Sequence, residues 1–352
     1  MTKENDLPAS ITIKLGQENN HRVALTGDTS VISLFLTLGC NARCRDCAID
    51  SGPDKAQLRL TPDEIRLAIH SAKKNGMTGM QLCGGEPFIA PDLMEFGLKE
   101  ASKVGLYPFL VTNAYWANTP QKANAILNEL SKLGLRHITV SYDRYHAEFI
   151  PPNCVINACQ QAEQLGLKVQ LSITEAELEE KQQTMEAIMP VQRFALGEDI
   201  LSRNMNPPAG VGRGVNLSDS ELGTDSFLTL FSCSYFEHRS ALVCVYPGQL
   251  ASFCCGIANP RLTYRYPVKE NWLTDMLEVW NNDQCVIDMW NKGLQAITPY
   301  SLAPGILPSK KIFNCLRCKT QCKLVLGVSC QYCFELLPEL YPDKELIDIR
   351  TL

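Results

Sequence analysis

Between residues 31 and 215 the sequence alternates short apolar runs with longer amphipathic segments. The apolar runs read as buried strands, and the segments between them read as helices that begin at capping residues and end at glycines. Regular alternation of this kind predicts an α/β fold, a parallel sheet arranged as an open, partial (β/α)6 barrel with its chemistry at the carboxyl ends of the strands. The predicted strands are Val31–Leu38, Gly79–Cys83, Tyr107–Thr112, His137–Ser141, Lys168–Ile173 and a weaker one near Val191–Leu196.

The chain is predicted to have three parts. The barrel pattern breaks at the Pro- and Gly-rich stretch Asn206–Gly214, so we place a boundary after it. Residues 1–30 then form an N-terminal segment, residues 31–215 the partial barrel, and residues 216–352 a cysteine-rich C-terminal extension. Helix signals are sparse in this extension, apart from Trp272–Lys292.

Composition and charge exclude several classes of protein. The 352 residues carry a net charge of −5, so no basic excess points to nucleic acid or to an anionic membrane as a partner. Residues 1–27 lack the apolar stretch of a secretory signal, and the longest apolar run, Val31–Leu38, is far too short to span a bilayer. We therefore expect a soluble cytoplasmic protein, in which closely spaced thiols serve as metal ligands or catalysts and not as disulfides.

Three of the 16 cysteines, Cys40, Cys44 and Cys47, lie directly after the first predicted strand. Three thiols so close together on one loop can converge on one metal centre. They are one ligand short of the four that complete a tetrahedral metal site or an iron–sulfur cube, so one iron of a cube would stay open. Three unrelated buried thiols are the alternative.

A second motif, Gly84-Gly85-Glu86-Pro87, ends the second predicted strand. Two glycines let the backbone come close to a ligand, and the Glu86 carboxylate can pair with an ammonium group. By itself the motif could be a tight turn. Its place one strand–helix unit after the cysteine loop favours a binding role, because parallel strands end at the same edge of a sheet.

In this order, the two motifs resemble those of radical S-adenosylmethionine (SAM) enzymes. The resemblance implies that Cys40, Cys44 and Cys47 hold a [4Fe–4S] cluster whose open iron binds SAM, and that the Gly-Gly-Glu-Pro turn binds the methionine amino group. In such enzymes the reduced cluster splits SAM into methionine and a 5′-deoxyadenosyl radical, which abstracts hydrogen from a substrate. One departure is Asp46, which stands where the family usually has an aromatic residue.

The same resemblance implies further contacts with SAM. They fall to Thr112 and Asn113 after the third predicted strand, Ser141 and Asp143 after the fourth, and Arg213 in the Gly-rich stretch. Singly, such polar residues are more often turn or cap residues, and a solvated loop arginine is the alternative for Arg213. His146 follows on the same loop and could act as a base or have a structural role.

Ten further cysteines follow residue 230, and nine of them form two groups. One group is Cys233, Cys244, Cys254 and Cys255, and the other is Cys315, Cys318, Cys322, Cys330 and Cys333. The second group contains two Cys-x2-Cys pairs without a nearby histidine, which is typical of zinc or iron–sulfur sites. The region loosely resembles the SPASM extension of radical SAM enzymes, which implies one or two auxiliary [4Fe–4S] clusters held by Cys233, Cys254 and the second group. A zinc site made by Cys315, Cys318, Cys330 and Cys333 is the alternative.

Cys83, Cys154, Cys159 and Cys285 stand apart from these groups. A lone cysteine is usually a small buried hydrophobic residue, and this is our expectation for all four. The alternative is a donor of a hydrogen atom to a substrate radical. Cys83 fits that role best because it directly precedes the Gly-Gly-Glu-Pro turn.

The resemblance predicts a radical SAM enzyme that modifies a peptide or protein, by crosslinking, epimerisation, oxidation or backbone excision. It also implies an electron donor such as flavodoxin or ferredoxin. If the substrate is a peptide with a leader, we expect either a separate small recognition protein or direct binding of the leader. A small-molecule substrate is one alternative. A non-enzymatic zinc or iron–sulfur protein that transfers electrons is another, although it does not explain the cysteine loop ahead of a Gly-Gly-Glu-Pro turn.

Overall fold

The computed structural model describes residues 30–174, 178–195, 205–206, 213, 242–252, 263–265, 270–282 and 287. Within these residues the strands form one sheet in the order β6-β5-β4-β3-β2-β1-β7-β8-β9. The first seven strands in this order are parallel to their neighbours. At the end of the sheet, β8 pairs antiparallel with β7, and β9 pairs antiparallel with β8. The strands are β1 (Val31–Phe35), β2 (Gly79–Cys83), β3 (Tyr107–Thr112), β4 (His137–Ser141), β5 (Lys168–Thr174), β6 (Met205–Asn206), β7 (Leu242–Tyr246), β8 (Leu250–Ser252) and β9 (Thr263–Arg265).

Helices connect successive parallel strands, as the alternating sequence pattern predicts. Thr61 begins the first of them with the predicted capping box, since its side chain accepts from the Glu64 backbone and the Glu64 carboxylate accepts from the Thr61 backbone. The helices are α1 (Pro62–Lys74), α2 (Pro91–Val104), α3 (Pro120–Lys132), α4 (Arg144–Ala147), α5 (Pro152–Gln164), α6 (Leu178–Ala187) and α7 (Trp272–Asn281). No helix of the described residues is both long and apolar enough to cross a membrane.

The two faces of the sheet bury different sets of side chains. On β1, Ile32 and Leu34 belong to the main core, which the helices cover. Val31 and Phe35 point to the opposite face, where they pack in a second cluster with residues of β2 and β7. This alternation is the period of two that a strand buried on both faces requires. Packing on both faces fixes the end of β1, from which the next loop starts.

The prediction of an α/β fold with a parallel sheet is confirmed, but the predicted strand near Val191–Leu196 is wrong. Residues Met189–Ala195 form a 3-10 helix, with a proline as its second residue. A short apolar run does not distinguish a strand from a buried helical turn by its periodicity. The sixth strand is instead the two-residue β6, which pairs with the end of β5.

The sheet also continues past residue 215, where the sequence predicts that the barrel ends. β7 lies parallel to β1, on the side opposite β2, with Val31 beside Leu242. The helix α7 packs near α1, where Ser71 Oγ donates to the Glu270 carbonyl oxygen at 3.1 Å. Trp272 is fully buried there. Two pieces of the predicted extension therefore support the strand that leads into the cysteine loop.

Candidate active site

The cysteine loop begins where β1 ends and is closed at its base by backbone hydrogen bonds. Cys40 N donates to the Gly52 carbonyl oxygen at 3.1 Å, and Gly52 N donates to the Leu38 carbonyl oxygen at 3.2 Å. Between Gly39 and Gly52 the chain makes turns and no regular secondary structure. All three cysteines of the motif are therefore presented from one short loop at the carboxyl edge of the sheet.

The three thiols of this loop are free, and backbone amides approach two of the sulfurs. Ala42 N donates to Cys40 Sγ at 3.4 Å, and Ser51 N donates to Cys47 Sγ at 3.3 Å. Cys40 and Cys44 are buried together beside Tyr145. Burial raises the pKa of the Cys40 thiol to about 12. Burial also raises the pKa of the Cys44 thiol, well above the usual range of a cysteine. Without a metal these two thiols keep their protons, which a bound metal must displace.

The chemistry of this donor set fits an iron–sulfur cluster. It consists only of sulfur, and N–H groups lie close to two of the sulfurs, where they favour a charged thiolate. Among the described residues, no three His, Cys, Asp or Glu side chains already form a metal-binding group. To hold the cluster that the sequence analysis expects, the three cysteine side chains would have to turn toward a common centre.

The Gly-Gly-Glu-Pro turn packs directly against the start of the cysteine loop. Gly85 N donates to the Thr37 carbonyl oxygen at 2.8 Å, and Glu86 N donates to the Gly39 carbonyl oxygen at 2.9 Å. A Cβ atom on Gly84 would lie 2.5 Å from the Thr37 oxygen, and one on Gly85 would lie 2.2 Å from the Gly39 oxygen. The glycines thus allow close approach to another stretch of this chain, in addition to the ligand approach that the sequence suggests.

Pro87 follows as the first residue of the 3-10 helix Pro87–Ile89 and is buried. The Glu86 side chain caps this helix, because its Oε1 accepts from Phe88 N at 3.3 Å. Proline suits this position, since its fixed backbone angle is that of a helix start and it needs no hydrogen-bond acceptor there. The proline therefore shapes the turn that carries Glu86.

Glu86 is fully buried, and its carboxylate links β2 to the end of β3. Thr112 Oγ1 donates to Oε1 and Asn113 N donates to Oε2, both at 2.8 Å. Burial raises the pKa of Glu86 to about 7, against hydrogen bonds that favour the charged form. A nearby cation would stabilise the charged form of this buried carboxylate. The ammonium group that the sequence analysis assigns to Glu86 is such a cation.

Replacing Glu86 with glutamine is expected to remove a pH dependence of stability. The pKa of Glu86 is raised from 4.5 to about 7 in the folded chain, so the folded state binds more protons than the unfolded state between these values. Stability from this group is present below pH 4.5 and is lost as the pH rises through 7, at about 1.4 kcal/mol per pH unit. Urea unfolding of the metal-free protein between pH 4.5 and 8 measures this slope.

In the Glu86→Gln variant the unfolding free energy should fall less steeply over the same interval. Glu95→Gln is the matched control, because Glu95 is half exposed on α2 and, within the described part of the chain, pairs only with Lys99. A wild-type slope that Glu86→Gln leaves unchanged would contradict the buried, raised pKa.

The predicted pair Thr112 and Asn113 is largely engaged within the protein. Thr112 Oγ1 accepts from Ala114 N and Trp116 Nε1, both at 3.0 Å, in addition to its bond with Glu86. The Asn113 amide reaches the cysteine loop, where its Nδ2 donates to Asn41 Oδ1 at 2.9 Å. These residues tie the end of β3 to the cysteine loop through Glu86 and Asn41.

After β4, Asp143 forms the N-cap of the short helix α4. Its Oδ1 accepts from Tyr145 N at 3.0 Å, from His146 N at 2.9 Å and from His146 Nδ1 at 2.8 Å. Burial lowers the pKa of His146, but the Asp143 carboxylate outweighs burial and raises this pKa to about 9. Ser141, two residues earlier, is partly buried at the end of the strand. His146 therefore forms an ion pair with Asp143, which is the kind of contact that a structural role would require.

Two carboxylate oxygens beside the cysteine loop are buried and have no hydrogen-bond partner among the described residues. They are Asp143 Oδ2 and Asp46 Oδ1. Burial, together with the nearby Asp143, raises the pKa of Asp46. Such atoms are costly to bury without a donor. A ligand with hydroxyl or ammonium groups, of which SAM has both, would satisfy them.

Arg213 lies against the cysteine loop and not in solvent. Its Nε donates to the Cys44 carbonyl oxygen at 2.8 Å, and its Nη1 donates to Asp50 Oδ1 at 2.7 Å and to the Ser51 carbonyl oxygen at 2.6 Å. The backbone N of Arg213 donates to the Cys47 carbonyl oxygen at 2.9 Å. Sequence reasoning marked this arginine for contact with SAM and missed its contacts with the loop.

Cys83 is buried on the sheet face opposite the helices, and its Sγ lies 3.1 Å from Ser33 Oγ. Cys244, also fully buried, stands beside Ser33 on β7. Cys154 and Cys159 are buried in the main core, as predicted. The other cysteines after residue 160 lie outside the described residues, namely Cys233, Cys254, Cys255, Cys285, Cys315, Cys318, Cys322, Cys330 and Cys333.

Residues 34–174 match the family model of the radical SAM superfamily. The putative peptide biosynthesis protein YydG of Bacillus subtilis is 27% identical over 137 residues, which are 37% of this chain and 41% of that protein. The AdoMet-dependent heme synthase of Methanosarcina barkeri is 32% identical over 126 residues, or 36% and 34% of the two chains. The chain thus spans well under half the length of both relatives.

A solved structure, native anSMEcpe with bound AdoMet, superposes with a TM-score of 0.47 and 10% identity, over 72% of this chain and 81% of that one. The family match and the enzyme relatives support an enzyme of the radical SAM type, as the sequence predicts. They imply SAM and a [4Fe–4S] cluster as cofactors of the domain, together with a source of electrons.

Proposed function

We propose that this protein cleaves SAM reductively and abstracts hydrogen from a peptide or protein substrate. The observation that carries the proposal is the direct packing of the Gly-Gly-Glu-Pro turn on the cysteine loop, with Glu86 N bonded to the Gly39 oxygen at 2.9 Å. At this edge of the sheet lie a buried carboxylate, three free thiols and two carboxylate oxygens that have no hydrogen-bond partner among the described residues.

The role that we propose for each residue follows from its chemistry. Cys40, Cys44 and Cys47 would hold a [4Fe–4S] cluster, which supplies the electron for SAM cleavage when it is bound and reduced. Glu86 would accept hydrogen bonds from the methionine ammonium group, for which its buried position is suited. Asp143 Oδ2 would accept from a SAM hydroxyl group, since it has no partner among the described residues.

The contacts of Thr112 and Asn113 make them supports for Glu86 and the cysteine loop. Ser141 remains a candidate for contact with SAM beside Asp143. Cys83 remains a candidate hydrogen donor. Its burial on the face opposite the helices places it among the interior side chains of the barrel that we propose.

For the C-terminal part we keep the predictions made from spacing. The barrel would span residues 31–215 with β7 and α7 added to it, and residues 216–352 would contain one or two auxiliary [4Fe–4S] clusters, with zinc at one site as the alternative. Flavodoxin or ferredoxin would supply electrons in the cytoplasm, and a separate recognition protein would present a peptide substrate.

The similarity to a peptide biosynthesis protein favours a peptide substrate, by family analogy only. The similarity to a heme synthase favours a small molecule as the second candidate, over a segment of about the same length. Neither similarity extends to half of the chain.

The first experiment tests SAM cleavage. The full chain is purified anaerobically, reconstituted with iron and sulfide, reduced with dithionite and supplied with SAM. We expect 5′-deoxyadenosine, detected by liquid chromatography and mass spectrometry. A fully loaded cluster that produces none, with zinc in place of iron in the C-terminal part, would favour the non-enzymatic alternative.

The second experiment distinguishes the two substrate classes. The reduced enzyme is incubated with SAM and either a fraction of cellular peptides or a fraction of metabolites below the size of peptides. We expect the peptide fraction to accelerate formation of 5′-deoxyadenosine and to contain peptides with altered mass. Acceleration by the metabolite fraction alone would show that the substrate is a small molecule and not a peptide.

A further inference from the structure

The cysteine loop depends on a distant residue for its shape. Its base is closed by the Gly39 and Gly52 backbones, but inside it the turn bonds from Cys47 N and Asp50 N are both 3.3 Å long. Bonds of this length are weak. Asp50 also has a positive φ of 51°, a conformation that is uncommon for residues other than glycine, although aspartate adopts it more readily than most.

Arg213 adds support from outside the loop, beside the Asn113–Asn41 hydrogen bond and the Lys55–Asp50 ion pair. It contacts the backbone of two of the three cysteines, Cys44 and Cys47, and it also bonds to Asp50 and Ser51 beyond them. Its side chain is 17% exposed, so water competes little for these bonds. A guanidinium group suits the task, because its planar fork has several donors in fixed directions and keeps its charge.

We propose that Arg213 is a positioning residue that fixes the cysteine loop for cluster binding and does not contact SAM. The proposal rests on the proposed function, since it assumes that the loop holds a cluster. The Nε, Nη1 and backbone N donors of Arg213 are already engaged with the loop. Movement of Arg213 would shift two cluster ligands together, so the chain beyond β6 and the cluster site are coupled.

The experiment measures cluster retention and not catalysis. Wild type, Arg213→Ala and Arg213→Lys are reconstituted in the same way with iron and sulfide, and iron release to a ferrous chelator is followed by absorbance. We expect Arg213→Ala to release iron about tenfold faster, the lower end of what is typical when groups that orient metal ligands are removed. Arg213→Lys should release iron at a rate between those of wild type and Arg213→Ala, because an ammonium group keeps the charge but cannot reach all the acceptors.

Arg43→Ala is the matched control. Arg43 lies on the same loop and pairs with Asp54, but about half of its side chain is exposed, so the loss of its charge should leave iron release unchanged. The electron paramagnetic resonance spectrum of the reduced cluster should change in the Arg213 variants and stay unchanged in Arg43→Ala. Thermal unfolding of each metal-free variant identifies any that fail to fold, and Arg213→Lys then carries the test.

The outcomes separate the two proposals. A wild-type chain that binds no iron–sulfur cluster contradicts the proposed function itself. A wild-type chain that binds a cluster, with folded Arg213 variants that retain iron as well as wild type and show the same spectrum, overturns the role of Arg213 alone. If SAM affinity falls in the Arg213 variants while iron retention is unchanged, Arg213 contacts SAM as the sequence analysis predicts.

Discussion

Replacing Cys44 with alanine should reduce 5′-deoxyadenosine formation by at least about 100-fold, since loss of a ligand must exceed the 10- to 100-fold loss typical of groups behind the ligands. Cys44 is buried with Cys40 beside Tyr145, so water cannot easily take its place as a ligand. Iron and sulfide bound per chain should fall with the activity. Both are measured after identical anaerobic reconstitution.

Cys159→Ala is the matched control for this prediction. It removes the same thiol from a fully buried position in α5, within the main core. We expect a modest loss of stability, with bound iron and the rate of SAM cleavage unchanged. If Cys44→Ala retained both the cluster and the activity, the cysteine loop would not be the site of the reaction.

Replacing Gly85 with alanine is expected to separate the Gly-Gly-Glu-Pro turn from the cysteine loop. The added Cβ would lie 2.2 Å from the Gly39 backbone oxygen, which cannot rotate away as a side chain can. The turn must shift, and the bond from Glu86 N to that oxygen breaks. We expect the free energy of unfolding to fall by about 3 kcal/mol. SAM cleavage should fall with it, because Glu86 moves.

Gly166→Ala tests whether any glycine substitution has this effect. Gly166 follows α5 at a φ of 74°, and a Cβ atom there would meet no atom within 4 Å. The expected cost is about 1–2 kcal/mol, from backbone conformation alone. Urea unfolding and calorimetric titration with SAM should show that Gly166→Ala keeps SAM affinity and Gly85→Ala loses it. Equal SAM affinity in both variants would mean that the turn is not part of the SAM site.

Local sequence patterns were sufficient for most of the fold around the site. The capping box at Thr61 and the glycines after α2 and α5 depend on neighbours a few residues apart, so a sequence displays them directly. The cysteine loop and the Gly-Gly-Glu-Pro turn were likewise visible, and the structure brings them into contact at the edge of the sheet. Parallel strands make such contacts predictable, because their carboxyl ends share one edge.

The contacts that the sequence did not reveal are those between distant segments. Arg213 reaches Cys44 across 169 positions of the chain, and no local pattern distinguishes it from a solvated arginine. The strand near Val191 was wrongly predicted because an apolar run of that length suits a 3-10 helix equally well. The place of β7 beside β1 was missed because a long segment without strand–helix alternation separates it from the barrel pattern.

The position of β7 has a consequence for the order of events during synthesis. As the chain leaves the ribosome, β1 can pair with β2 early, but its other edge stays open until Leu242–Tyr246 has been made. An open strand edge binds other strands readily, so this nascent intermediate is exposed to aggregation. Arg213 also emerges long after the cysteines that it supports. Cluster insertion is therefore best suited to the released chain, and delivery of iron and sulfide during translation would meet an unfinished site.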